Sequence, residues 1–309
     1  MEYVLETLHL SKRYKSQWAL KDVNLHIAKG DIYGFVGENG SGKTTVIRLV
    51  TGLISPTEGN VALFGVKDDQ PDILQQRKKV GAIVEAPAIY LNMSAAENLR
   101  LQATILGITE NAEELIQNAL CEVGLQDLYN DNKKAGNFSL GMRQRLGIAM
   151  ALMNNPELII LDEPMNGLDP TGIVEIRELI LKLNRQNGIT FLISSHILSE
   201  LSLVATKYGI ISKGKLLAEL TAEELQQECQ PSTIINVDRP EALQNLLNAY
   251  LPPDNYVFTE FGVRIYGNVK LNELLKKIID ADIEIMSVNS VQASIETYYL
   301  SLVGGMHNA

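Results

Sequence analysis

Positive charge is the scarcer kind in this chain of 309 residues: 27 Lys and Arg stand against 37 Asp and Glu, a formal net charge of −10. Non-specific nucleic-acid binding draws on clustered positive charge, so no nucleic-acid partner is expected. Cysteine is nearly absent. Cys121 and Cys229 have no second Cys or His at metal-ligand spacing, and they read as reduced thiols rather than a disulfide or a zinc site. Long apolar runs are missing too, since none approaches the roughly 18 to 20 uncharged residues that span a bilayer. The start MEYVLETLHLSKRYK lacks the basic-then-apolar order of a signal peptide. A cytosolic protein is expected, or one that docks on a membrane from the cytosolic side. There is no internal repeat and no low-complexity tract.

What is present is a hydrophobic content of 46%, enough for one large domain and a small one, or for two of ordinary size. Short apolar runs alternate with longer amphipathic ones over the first two-thirds, the pattern of an α/β domain whose parallel strands are covered on both faces. Ile32 to Val36, Val80 to Val84, Leu158 to Leu161 and Thr190 to Ile193 read as buried strands, each followed at once by polar residues or glycine. In open α/β sheets ligands bind beyond the carboxyl ends of the strands, so those following residues should converge on one site. Asn98 to Leu106, Ala112 to Val123 and Gly141 to Met153 carry apolar residues at helical spacing, which predicts a helical insert, about residues 87–155. The polar stretch Glu223, Glu224, Gln226, Gln227, Glu228 and Gln230, ending at Pro231, reads as a linker. Beyond it come a strand (Thr233 to Val237), a helix (Glu241 to Tyr250), two short strands (Tyr256 to Glu260, Val263 to Tyr266), a helix (Leu271 to Ile279), a strand (Ile283 to Val288) and a last helix from Ala293. This βαββαβ order predicts a small α+β domain over 221–309, after a first domain over 1–220.

Gly37-Glu38-Asn39-Gly40-Ser41-Gly42-Lys43-Thr44 fits the phosphate-loop pattern G-x-x-x-x-G-K-[ST], with a strand before it and a helical pattern from Thr45 to Thr51 after it. Glycines let backbone N–H groups turn inward around phosphates, and the helix N-terminus adds its positive dipole end. Lys43 would reach the terminal phosphates of ATP, and the Thr44 hydroxyl would ligate Mg²⁺. Leu158 to Glu163 is an apolar strand ending in two adjacent carboxylates. Asp162 would hold Mg²⁺ through water and Glu163 would polarise the attacking water as general base. The bland alternative, a strand ending in a solvated acidic turn, loses force beside a phosphate loop. Ser194-Ser195-His196 follows another strand, where the imidazole could hydrogen-bond the γ-phosphate and orient the water.

In this order the motifs resemble the ATP-binding cassette (ABC) family over about residues 1–220. Phe138-Ser139-Leu140-Gly141-Met142-Arg143-Gln144-Arg145 is similar to the family signature LSGGQ, with Leu140 and Met142 departing from it while Ser139 and Gly141 remain. The resemblance implies a P-loop NTPase fold, a parallel-sheet core with a helical subdomain. It also implies a head-to-tail dimer with a second copy, each ATP lying between the phosphate loop of one copy and the signature of the other. Ser139 can cap the following helix, whose N-terminus would face phosphate in the partner. Tyr14 matches the aromatic that stacks on adenine, and Asn166-Gly167-Leu168-Asp169 resembles the loop that couples the two sites. Glu85 stands where most of the family carries a glutamine that touches Mg²⁺ and senses the membrane subunit.

Glu85 and the run FSLGMRQRLGIAMAL resemble the ATPase subunits of lantibiotic-immunity and bacitracin-resistance exporters. That narrower resemblance implies a peripheral protein on the cytoplasmic face of the cell membrane, bound to integral membrane permease subunits around Glu85 to Leu101, and expelling an antimicrobial peptide. An importer ATPase with a regulatory C-terminal domain is the first rival. A soluble ABC protein of translation or DNA repair is the second, but those carry two cassettes or a long coiled-coil insertion, and this chain has neither.

Overall fold

The structure, a computed structural model, describes residues 2–229, 232–252, 255–259, 261–267, 270–291, 298–300 and 302. Two compact units divide the chain, residues 1–222 and 223–309.

The first unit holds two sheets. Strands β1 (Tyr3–Tyr14), β2 (Gln17–Val23) and β3 (His26–Ala28) pair antiparallel, and β1 also pairs with β5 (Glu58–Leu63), which leads into β6 (Val66–Lys67). The second sheet uses β4 (Ile32–Val36), β7 (Val80–Ile83), β8 (Leu158–Asp162), β9 (Thr190–Ser195), β10 (Lys207–Ser212) and β11 (Lys215–Thr221) in the order β11-β10-β4-β9-β8-β7. All its pairings are parallel except that of β10 with β11. β4, β8 and β9 are buried at every residue, which is why they read as unbroken apolar runs rather than alternating ones. Side chains from both sheets, among them Leu5, Leu20, Phe35, Ile160 and Leu192, form one core with Ile47 of the helix that follows β4.

Helix α1 (Lys43–Val50) follows β4, and the short α2 (Ile73–Arg77) precedes β7. Between β7 and β8 lie α3 (Ala95–Leu106), α4 (Ala112–Glu122) and α5 (Leu140–Leu152), each packed on the other two. α6 (Pro170–Asn187) connects β8 to β9, and α7 (Leu198–Leu201) follows β9. The helix boundaries have local causes. α6 starts on Asp169 with Pro170 in its first turn and stops on Gly188 at φ 67°. α3 starts at buried Ser94, whose Oγ accepts from the Glu97 amide at 3.2 Å while Glu97 Oε2 accepts from the Ser94 amide at 2.6 Å.

The second unit contains α8 (Ala222–Glu228, its first residue in the other unit), β12 (Ser232–Val237), α9 (Pro240–Tyr250), β13 (Tyr256–Thr259), β14 (Gly262–Tyr266), α10 (Leu271–Asp280) and β15 (Ile285–Val291). Its antiparallel sheet runs β13-β14-β12-β15. Leu243, Leu247, Leu274 and Ile278 from the helices meet Ile235, Val263 and Ile265 from the strands in a separate core. The stretch read as a linker is a helix over 222–228: Glu and Gln are good helix formers, and buried Leu225 anchors it. Gln230, Pro231, Glu260 and Ala293, which enter the expected linker, second strand and last helix, lie outside the described residues.

Two predictions concern the helical insert. Ser94→Ala should lower unfolding stability by about 1 kcal/mol in urea denaturation, the usual worth of an N-cap. Arg100, bonded to Glu113 at 2.7 and 2.9 Å, and Tyr129, at 2.7 Å, lower the Glu113 carboxyl to about 2 from an ordinary 4.5. A carboxyl lowered in the folded state stabilises it above its unfolded value. The stability difference between the parent and Glu113→Gln should therefore be constant above pH 4.5 and vanish as pH falls toward 2.

Candidate functional site

Parallel register brings the ends of three strands together. Val36 of β4 pairs with Ser195 of β9, and Ser194 pairs with Asp162 of β8. The loop 37–42 continues from β4, with the Gly37 amide donating to the Ser195 carbonyl at 3.3 Å. Glycine is required in this loop for two reasons. Gly42 is at φ 114°, and a Cβ there would meet Leu20 Cδ2 at 2.6 Å; at Gly37 a Cβ would run into the Ile211 carbonyl and Ser41 Oγ. Ser41 Oγ is itself buried with no hydrogen-bond partner, an unsatisfied polar atom inside a loop that ends at a helix N-terminus.

Lys43, at 4% exposure, places its ammonium under the loop. Nζ donates to the Gly37 carbonyl at 2.7 Å and the Glu38 carbonyl at 3.2 Å, and it lies 3.4 Å from Glu163 Oε1. Thr44 Oγ1 donates to Asp162 Oδ2 at 2.9 Å, and Ser194 Oγ donates to Asp162 Oδ1 at 2.6 Å. The Glu163 amide donates to that same Ser194 hydroxyl at 2.9 Å. Glu163 takes a left-handed backbone at φ 48°, a sparse region for residues with a Cβ, and its Oε2 lies 3.1 Å from His196 Nδ1 and 3.4 Å from Asn166 Nδ2. Asp162, Glu163, Lys43, Thr44 and His196 thus form one network.

Above the network is a cleft of about 570 Å³. Asn39, Gly40, Thr45 and Tyr14 line it along with Lys43, Thr44 and Glu163. Tyr14 is 46% exposed, with Lys12 Nζ 5.4 Å from its ring centroid. Trp18, Lys213 and Gly214 also line the cleft. The last two were not foreseen from sequence, because they sit on the turn between β10 and β11. The Gly214 amide donates to the Ser41 carbonyl at 2.9 Å, and its own carbonyl accepts from the Lys21 amide at 2.9 Å, so the turn fastens the loop to β2. Ser194, in sequence only a neighbour of His196, joins Asp162 to Glu163.

Four expected site residues, Ser139, Gly141, Asp169 and Glu85, lie elsewhere. Ser139 caps α5, its Oγ accepting from the Met142 amide at 3.2 Å, and a Cβ at Gly141 would lie in ordinary contact with Leu168 Cδ2 at 3.9 Å. Asp169 caps α6 by accepting from the Gly172 amide at 3.0 Å. None of these lines the cleft of its own chain. Glu85 does not either. Its carboxylate accepts from Arg48 on α1, and Arg48 does not line the cleft. A second cavity, of about 220 Å³, is lined by Glu163, Asn166, His196 and Glu200. Burial pushes the Glu200 carboxyl up, against the opposing pull of His196.

A glycine loop ending at a helix N-terminus, a buried ammonium and a carboxylate pair can receive a polyphosphate and polarise water against it. The comparisons agree. Residues 20–166 match the ABC transporter family. The chain is 40% identical over 309 residues to the bacitracin transport ATP-binding protein BcrA of Bacillus licheniformis, covering 99% of each. It is 43% identical over 216 residues to the lantibiotic transport ATP-binding protein SrtF of Streptococcus pyogenes, covering 70% of this chain and 90% of that one. Among solved structures it resembles cbiO1 of Clostridium perfringens, part of the ABC transporter complex cbiONQ, with a TM-score of 0.67, 25% identity and coverage of 82% of this chain and 97% of that. It also resembles a dimeric ATP-binding cassette in a post-hydrolysis state bound to ADP and Pi, with a TM-score of 0.62, 26% identity and coverage of 71% and 98%. Identity of this extent along almost all of a transport ATPase makes the chain a member of the ABC transporter ATP-binding family, a cassette that couples ATP hydrolysis to transport.

Proposed function

We propose that this cassette drives export of a bacitracin-like antimicrobial peptide. The observation that carries the reading is where similarity stops: it runs through 99% of BcrA, including the counterpart of the second unit, whereas the match to SrtF covers 216 residues. Among the described residues no helix is long and apolar enough to cross a membrane. Separate permease chains would form the path for the peptide, and this subunit would meet them at the cytoplasmic face of the membrane.

At the site, Lys43 would exchange the Gly37 and Glu38 carbonyls and Glu163 for the terminal phosphates, stabilising charge that develops there. Freed from Lys43, Glu163 would accept a proton from the attacking water, with His196 donating to the γ-phosphate. Tyr14 would stack on the adenine, and the amides of residues 39–45 would cradle the phosphates. The Thr44 hydroxyl and the Asp162 carboxylate, 2.9 Å apart, offer the hard oxygen ligands that Mg²⁺ takes. No group of three or more His, Cys, Asp and Glu is arranged for a metal among the described residues, which suits a cation that also needs phosphate oxygens. Mg²⁺, when bound, neutralises phosphate charge; Glu85 would be a further ligand to it. Ser139, Gly141 and Asp169, turned away from their own cleft, would complete the site of a second copy in a head-to-tail dimer.

Three outcomes are expected. Glu163→Gln should retain ATP binding, lose at least about 100-fold in kcat, and elute as a dimer with ATP in size-exclusion chromatography; undiminished turnover would remove Glu163 as base. Ser194→Ala should lower kcat about ten-fold with little change in KM for ATP, since it removes a hydrogen bond to a charged group worth about 1.5–3 kcal/mol. Expression with the permease genes in a bacitracin-sensitive host should raise the bacitracin inhibitory concentration, and Glu163→Gln should abolish the rise. Protection against a lantibiotic but not bacitracin would overturn the cargo assignment.

A further inference from the structure

Glu85 occupies an unusual turn. The Ala86 amide donates to the Val84 carbonyl at 2.8 Å, closing a three-residue turn around Glu85, whose φ is 64°. A turn of this kind with positive φ is the rare, strained form, and it holds the side chain in a conformation that the backbone alone disfavours. The Arg48 guanidinium meets the Glu85 carboxylate there, the two side chains being 40% and 59% exposed. Arg48 follows Thr44 by four residues on α1, so both project from one face of the helix, about 6 Å apart along its axis. Glu85 is thus bonded to the residue one helical turn along α1 from Thr44, which itself bonds Asp162.

The same turn also borders a groove. Val84, Ala86, Pro87 and Ala88 line a cavity of about 540 Å³ with Gly147 and Met150 of α5. Any segment seated in that groove would bear on both flanks of Glu85.

We propose that Arg48 is a positioning residue for Glu85, holding its carboxylate off the cation site, so that the strained turn has an Arg48-bound and a cation-bound setting. The proposal rests on the reading of Glu85 as a cation ligand. Carboxylate chemistry favours this two-way competition, because Glu meets a cation with a full opposite charge in both settings, where an amide would offer only a neutral oxygen. An exposed ion pair is weak in water, so it biases the equilibrium rather than locking it. Removing Arg48 should then tighten cation binding by about two- to five-fold, the factor to which the worth of a surface pair converts.

The test uses the full chain carrying Glu163→Gln to stop turnover, with ATP, and reads free Mn²⁺ by electron paramagnetic resonance. Arg48→Gln is expected to tighten Mn²⁺ about two- to five-fold. Arg48→Lys, which keeps the charge, should stay close to the parent. Glu85→Gln should weaken Mn²⁺, and adding Arg48→Gln to it should change nothing further. Arg48→Met is a second neutral variant in case Arg48→Gln fails to fold, with ATP binding as the check on both. Unchanged or weaker Mn²⁺ binding in the neutral variants, while Glu85→Gln still weakens it, overturns the role of Arg48 and leaves Glu85 as a ligand. If Glu85→Gln has no effect, Glu85 is not a ligand and the proposal falls with that reading.

Discussion

The carboxylate of Asp162 is the junction on which the rest of the site depends. At 5% exposure it is a buried charge, and such a charge is tolerated only when its oxygens are bonded. Ser194 satisfies one oxygen and Thr44 the other, so β8, β9 and α1 are tied at a single point. The tie is possible because Asp162 and Ser194 are register partners in adjacent parallel strands. Ser194 then receives the Glu163 amide, which fixes the next residue along β8, and His196 follows two positions later in the same chain segment. The order of events is thus from sheet register to carboxylate to catalytic residues.

A second constraint concerns buried positive charge. Lys43 is as enclosed as Asp162, and without phosphate its ammonium is held by the Gly37 and Glu38 carbonyls and by Glu163. In the proposed mechanism a triphosphate would replace those partners. Glu163 is bound on its other oxygen by His196 and Asn166, so loss of the lysine contact would leave it tethered. Substrate binding and arrangement of the proposed base would then be one exchange of partners rather than two separate steps.

How far the sequence alone reaches depends on whether a feature is local. β4, β8 and β9 are buried on both faces, and their unbroken apolar runs announce it. The glycines of the phosphate loop are legible because Gly40 and Gly42 lie at φ 80° and 114°, where other residues are strained. β1 is not legible in the same way. His9 sits at φ 51° within it and its pairings shift register, so its alternation of buried and exposed residues is broken. α8 was hidden by composition, its single buried leucine standing among Glu and Gln. The Gly214 turn, the Ser194 bridge and the Arg48–Glu85 pair join residues far apart in sequence, and no periodicity records such contacts.

The Lys, Thr, Asp, Glu and His chemistry of the proposed hydrolytic network would serve any cargo. Two features stand outside that network. One is the turn at Glu85, where a carboxylate pairs with Arg48 beside a groove of about 540 Å³. The other is the second unit, which has its own sheet and its own core of Ile235, Leu247, Val263 and Leu274. A unit with a separate core can change without disturbing the strand register that positions Asp162. The match to BcrA runs over 99% of both chains, whereas 216 residues of this chain suffice to cover 90% of SrtF, so a transport ATP-binding relative is matched over most of its length by only part of this chain.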